Sequence, residues 1–348
     1  MNPRHTRQLM FVLLTALMLV VVAAALLDRA EATPSQPRVT ISDPRVTESS
    51  GLAVSTDEPG LAYTVNDSGN AAEVFAIDLA SGDVVGVTTV RAQFRDVEAL
   101  ALRDGTLWIA DVGDNRAERD DTALYAIDEP GRRTATVGAE RHPVRLPGGP
   151  ADVEALLAAP DSDELVVVTK ALAGAEALSV RESELGREPA TFTRVATDLP
   201  ALVTDGAFSP DGSRVALLSY GALWTVDPAD WSIVGSQSLP PLRQAETVAF
   251  TADDTVVVGS EGEDSPLVTL TLDPEPASLG SPATVATDQP ATEPTTEPTA
   301  APAPADEGDG SRAIRLGGVG LAGVAVGALA AWRLRSRTRS AGSRRAIR

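Results

Sequence analysis

DVEALALRDGTLWIADVGDNRAERDDTALYAID, residues 96–128, holds three short apolar runs separated by a turn and by a polar loop. Each run is bounded by Asp, Gly or Asn, and none carries a helical period, so the segment reads as three strands. The first run opens on acidic residues, Asp96 and Glu98, and the third ends on Asp128.

The same pattern recurs on both sides. Upstream it reads ESSGLAVS (48–55), LAYTVNDSGN (61–70) and AEVFAIDLA (72–80). Downstream come DVEALLAAPDSD (152–163), ELVVVTK (164–170) and ALSVRE (177–182), then TDGAFSPDG (204–212), SRVALLSY (213–220) and ALWTVDP (222–228). A fifth copy is AETVAFTADD (245–254), TVVVGSEG (255–262) and PLVTLTLDP (266–274). The opening positions Ser50, Glu98, Glu154, Asp205 and Glu246 are 48, 56, 51 and 41 residues apart. Such a period suits one four-stranded antiparallel sheet per copy, the unit of a β-propeller.

Weaker fourth strands follow four of the copies: DVVGVTTV (83–90), HPVRL (142–146), FTRVATDL (192–199) and SIVGSQSL (232–239). The fifth copy has none, but RVTIS (38–42) precedes the first. A strand from that end would complete the last sheet, close the ring and remove an exposed edge. The expected fold is therefore all-β, a five-bladed propeller over residues 37–273. A sixth blade inside the long second repeat, or a two-sheet sandwich, are the alternatives.

The ends read differently. Arg4, His5 and Arg7 precede an apolar run, Leu9 to Leu27, and then Ala30-Glu31-Ala32. That order is a secretory signal, residues 1–32, with an uncleaved anchor as the other reading. Residues 274–311, with ATEPTTEPTAAPAPADEGDG, lack apolar periodicity and read as a Pro/Thr/Glu-rich disordered stalk. Leu316 to Trp332 carries no charge and is followed by seven arginines. Residues 312–333 are thus expected to be a transmembrane helix and 334–348 a basic cytoplasmic tail. The expected location is the cell membrane, single-pass, with the propeller outside.

Setting aside Asp28, Glu31, three arginines before residue 33 and nine beyond 311 leaves 47 acidic and 17 basic side chains, a balance of −30. Such a surface repels nucleic acid and favours cations, neutral carbohydrate or basic proteins as partners. With no cysteine, disulfides and thiolate chemistry are excluded. His142 is the one histidine of residues 33–311 and is read as incidental, in a loop. Lys170 is the one lysine of the chain, and an ion pair with Glu154 or Asp111 is expected.

FSPDGSRVALLS (208–219) resembles the SPDG turn of WD-like and TolB-type propeller repeats. Taken together, ESSGLA with NDSGN, DVEALAL with DVGDN, DVEALL with VVVTK, TDGAFSPDG and QAETVAFT with GSEG resemble a family of exported actinobacterial propeller proteins, similar in style to esterase-like or phytase-like propellers. The resemblance covers residues 48–273 and implies the fold rather than an activity. WD dipeptides are absent, as is the catalytic histidine of many hydrolases.

In a propeller the opening strand of each blade lines the channel, and the loop between second and third strands reaches the same mouth. The expected ligand face is Glu48, Asp96, Glu98, Asp152, Glu154, Lys170, Asp205, Tyr220, Glu246 and Glu261. The loops NDSGN and DVGDN present oxygens suited to calcium, so Asn66, Asp67, Asn70, Asp111, Asp114 and Asn115 are candidate metal ligands; Asx-turn chemistry explains the same composition. Three functions follow: a ligand-binding or protein-interaction module, calcium-stabilised; a hydrolase of glycosides or phosphate esters using channel carboxylates; or a structural scaffold.

Overall fold

A computed structural model describes residues 38–272. The expected signal, stalk, transmembrane helix and tail lie outside the described residues. Among the described residues no helix is long and apolar enough to cross a membrane.

Five sheets form five blades, each with four antiparallel strands at its heart. Their inner strands are Ser49–Val54, Val97–Arg103, Val153–Ala158, Val203–Phe208 and Ala245–Phe250. Each inner strand lies beside the next, and the fifth lies beside the first, so the ring is closed. The near-continuous apolar character of these strands follows from burial on both faces. Between successive blades sits an apolar layer. Tyr63 and Leu61 meet Leu100 and Ile109 between blades 1 and 2, and Trp108 and Leu124 meet Leu156 and Val167 between blades 2 and 3.

The alternatives of a sixth blade and of a sandwich are overturned by this topology. The surplus of the long second repeat instead forms Ala135–Val137, which runs parallel to the outer strand of blade 1 with Ala135 opposite Thr88. Likewise Ala190–Thr191 from the third repeat runs parallel to the outer strand of blade 2. Each blade so covered loses an open edge. His142 lies in the outer strand Glu140–Arg145 of blade 2, where the HPVRL run places it, and not in a loop, its ring 5.6 Å from that of Trp108.

Blade 5 is completed from the other end of the described chain. Arg38–Ile41 pairs antiparallel with Ser265–Leu270, Arg38 opposite Val268 and Ile41 opposite Ser265. Ile41 is fully buried among Phe75, Ile77, Val257 and Leu267, so it joins blade 5 to blade 1. Ile41→Val should therefore cost about 1 kcal/mol, the usual loss for one buried methylene. Urea unfolding measures it, and an unchanged midpoint would mean that the strand is not docked in solution.

Candidate functional site

A β-bulge recurs near the start of the inner strand in all five blades. The pairing with the second strand skips one residue: Gly51, Glu98, Glu154, Thr204 and Glu246 in turn. A bulge leaves its extra residue out of the ladder and re-aims the side chain. In blades 2, 3 and 5 that residue is a glutamate, and all three are buried. Blades 1 and 4 depart from the expected register by one residue, because Gly51 rather than Ser50 and Thr204 rather than Asp205 take the bulge.

Asp205 has a different task. Its carboxylate accepts hydrogen bonds from the backbone N–H of Gly206 at 2.8 Å and of Val248 at 2.7 Å. It ties blade 4 to blade 5 from a fully buried position. Burial pushes its pKa up, against the lowering effect of these N–H donors.

A second recurrent contact folds the loop after the second strand back onto the residue that precedes the inner strand. The N–H groups of Asp67, Gly113, Lys170 and Glu261 donate to the carbonyls of Glu48, Asp96, Asp152 and Gln244, at 2.8 to 3.0 Å. These loops therefore share one end of the channel with the bulge glutamates. The opposite end is a cavity of about 560 Å³ whose lining includes only two acids, Asp57 and Asp104.

The acidic mouth has two unlike halves. On the side of blades 3 to 5, Lys170 Nζ lies 2.9 Å from Glu154 Oε2 and 5.4 Å from the centre of the Tyr220 ring. Of the two expected partners of Lys170, Glu154 is the one it meets. Burial works against the lysine's charge, but Glu154 and Glu246 outweigh it and hold the pKa above the usual value. Tyr220 is raised by burial and then by the Glu246 charge. Glu154 is raised by burial, with Lys170 pulling it back.

On the side of blades 1 and 2, Asp67, Asp96 and Glu98 each place a carboxylate oxygen within 4.8 Å of the others. Burial raises Asp96 to about 6, and the Asp67 charge adds to it. The Ser68 hydroxyl and the charge of Arg119 act the other way. Glu98 is raised by burial and then by Glu154, Asp67 and Asp96. It is 3 % exposed, and its Oε1 is buried without a hydrogen-bond partner.

The other residues expected in this region mostly hold loops. Asn66 accepts the N–H groups of Thr47 and Glu48 and donates to the Arg45 carbonyl. Asn70 donates to Glu48 Oε2 and to the Asp67 carbonyl. Asp111 is paired with buried Arg119 at 2.8 Å and accepts the N–H groups of Arg95 and Asp96. Asp114 accepts the Arg119 N–H, while its own N–H donates to Asp152. Asn115 is exposed, and Glu261 meets Gln244. Arg119, Ser68, Gln244 and Gly113 were not legible as site residues. Gly113 stands at the loop position that Lys170 occupies in blade 3, and aligning the copies on their loops would have exposed it.

The fold and this mouth define a five-bladed β-propeller with a buried acidic site at one end of its channel. No protein-family model matches the sequence, and no curated protein matches it. Among solved structures, the hydrazine synthase of Kuenenia stuttgartiensis is similar over 62% of this chain and 56% of that one, with 16% identity and a TM-score of 0.37. The chain thus spans little more than half of that protein. A likeness of this degree carries no functional argument.

Proposed function

We propose that the chain is a ligand-binding module, displayed outside the cell, that takes its ligand at the acidic mouth of the channel. The observation that carries this reading is the burial of Glu98, Glu154 and Glu246 together at one end. Buried carboxylates cost stability, and the apolar layers between blades already supply a core. Perturbed ionisable groups gathered in a cavity mark functional sites. The rim, with Glu48, Asp152 and Glu261 partly exposed, is rich in acceptors. It suits a ligand rich in hydrogen-bond donors, a polyol or an ammonium group, and rejects anions.

The test is binding of the full chain, purified in detergent, to an array of neutral and amino sugars, with Glu246→Gln alongside. The expected result is selective binding that falls at least tenfold in the variant, in line with the loss of a charged hydrogen bond. Failure of the wild type to bind any donor-rich glycan, or equal binding by the variant, would overturn the reading.

A further inference from the structure

We infer that Asp67, Asp96 and Glu98 form a site for a hard divalent cation, calcium in particular, between blades 1 and 2. This goes beyond the ligand reading and does not depend on its outcome. Three features converge on it.

First is the geometry. Calcium binds oxygens at about 2.3–2.6 Å, so two of its ligands can lie at most about 4.6–5.2 Å apart. The three carboxylate oxygens, all within 4.8 Å of one another, already meet that limit. Magnesium demands a near-ideal octahedron and is usually held by one or two carboxylates with several waters, so three converging carboxylates suit calcium better.

Second is the orphaned oxygen. Glu98 is almost wholly buried, yet its Oε1 has no partner. Buried polar atoms are normally satisfied, and a carboxylate oxygen can accept from a donor or bind a cation. A point above the Gly113 backbone, where a Cβ would stand, lies 2.4 Å from Glu98 Oε1 and 2.8 Å from the Asp96 carboxyl carbon. The two carboxylates therefore converge on one place, and only glycine at 113 leaves room for them. Gly113 does not need a positive φ, so turn geometry does not explain it.

Third is the asymmetry of charge. Lys170 is in contact with Glu154 in the other half of the mouth, whereas Arg119, whose charge reaches Asp96, is committed to Asp111, Asp121 and the Gly113 carbonyl. A divalent ion would offset the repulsion that Asp67, Asp96 and Glu98 otherwise exert on each other.

The test is calorimetric titration and thermal unfolding of the chelator-treated full chain with calcium and, separately, magnesium. Asp96→Asn, Glu98→Gln and Asp104→Asn serve as variants, the last at the opposite mouth. One calcium per chain is expected, tighter than magnesium, with a rise in Tm of about 5 °C at saturation. Asp96→Asn and Glu98→Gln should abolish the rise, and Asp104→Asn should keep it. Without metal, the first two variants should melt no lower than the wild type, because Asn and Gln keep the shape of the side chains they replace and there is no ion to lose. That separates a metal site from a merely structural role. No stoichiometric binding, an equal rise in Asp96→Asn or Glu98→Gln, or a metal-free Tm that falls in both would overturn the inference. Glycan binding that survives in a chain that takes no calcium would overturn it while leaving the ligand reading intact.

Discussion

Gly51→Ala is expected to destabilise the propeller by about 3–5 kcal/mol, a large share of the roughly 5–15 kcal/mol typical of a folded domain. Gly51 is the bulge residue of blade 1, with φ +67°. A left-handed conformation costs a residue with a side chain about 1–2 kcal/mol. The larger part is steric. A Cβ at Gly51 would stand 2.6 Å from the Leu100 nitrogen and 2.7 Å from the Ala99 Cα, both backbone atoms of the next inner strand. Neither can move without disturbing the blade 1–blade 2 junction that also positions Glu98. Gly60 provides the control, since its φ is +79° but no atom lies near its missing Cβ. Gly60→Ala should lose only the conformational part, about 1 kcal/mol. Urea unfolding followed by circular dichroism measures both; equal losses would show that the close approach of the two inner strands is not rigid.

Lys170→Met should cost about 3–5 kcal/mol near neutral pH, the usual result of removing one member of a buried ion pair. It leaves Glu154 Oε2 without its cation, beside the charges of Glu246 and Asp152. The loss should depend on pH. Glu154 has a folded-state pKa above its ordinary value of 4.5. Its neutral form is thus favoured by folding, and the stability it contributes is full below that ordinary value and is lost as pH rises through the folded-state value. Without Lys170 the folded-state value rises further, so the penalty should be small at acidic pH and grow toward neutrality. Adding Glu154→Gln to Lys170→Met should recover most of it. Denaturant midpoints at acidic and neutral pH provide the measurement. A penalty independent of pH would assign the effect to lost packing of the lysine stem rather than to charge.

Much of the architecture was legible because a blade is a local pattern. Runs such as TLWIAD and ELVVVT declare strands, and the spacing from Ser50 to Glu246 sets the number of sheets. The unmatched RVTIS pointed to closure because the fifth copy lacked an outer strand. The surplus residues of the second repeat were ambiguous, since Ala135–Val137 finds its partner only in the preceding blade. At the site, the glutamates at 98, 154 and 246 stood out by type and spacing. The fourth copy misled by one residue: TDGAF offers an acid at 205, but a bulge is set by the pairing of two strands, and here it falls on Thr204. The loop DVGDN read as a source of metal oxygens; in the fold its Asp111 and Asp114 also take the side chain and the N–H of Arg119. Nothing local announces that pairing, because it depends on how the loop closes.

The strand Arg38–Ile41 also sets the order in which the molecule can be assembled. Of the described strands it emerges first during synthesis, and it has no sheet partner until Ser265–Leu270 exists. Loop closure across that separation comes late, and contacts so distant in sequence slow folding. Until then blade 5 has no outer strand, and Ile41 has no pocket to fill. The earlier blades must wait in an open arc, and the last of the described strands to be made is the one that locks the first of them in place.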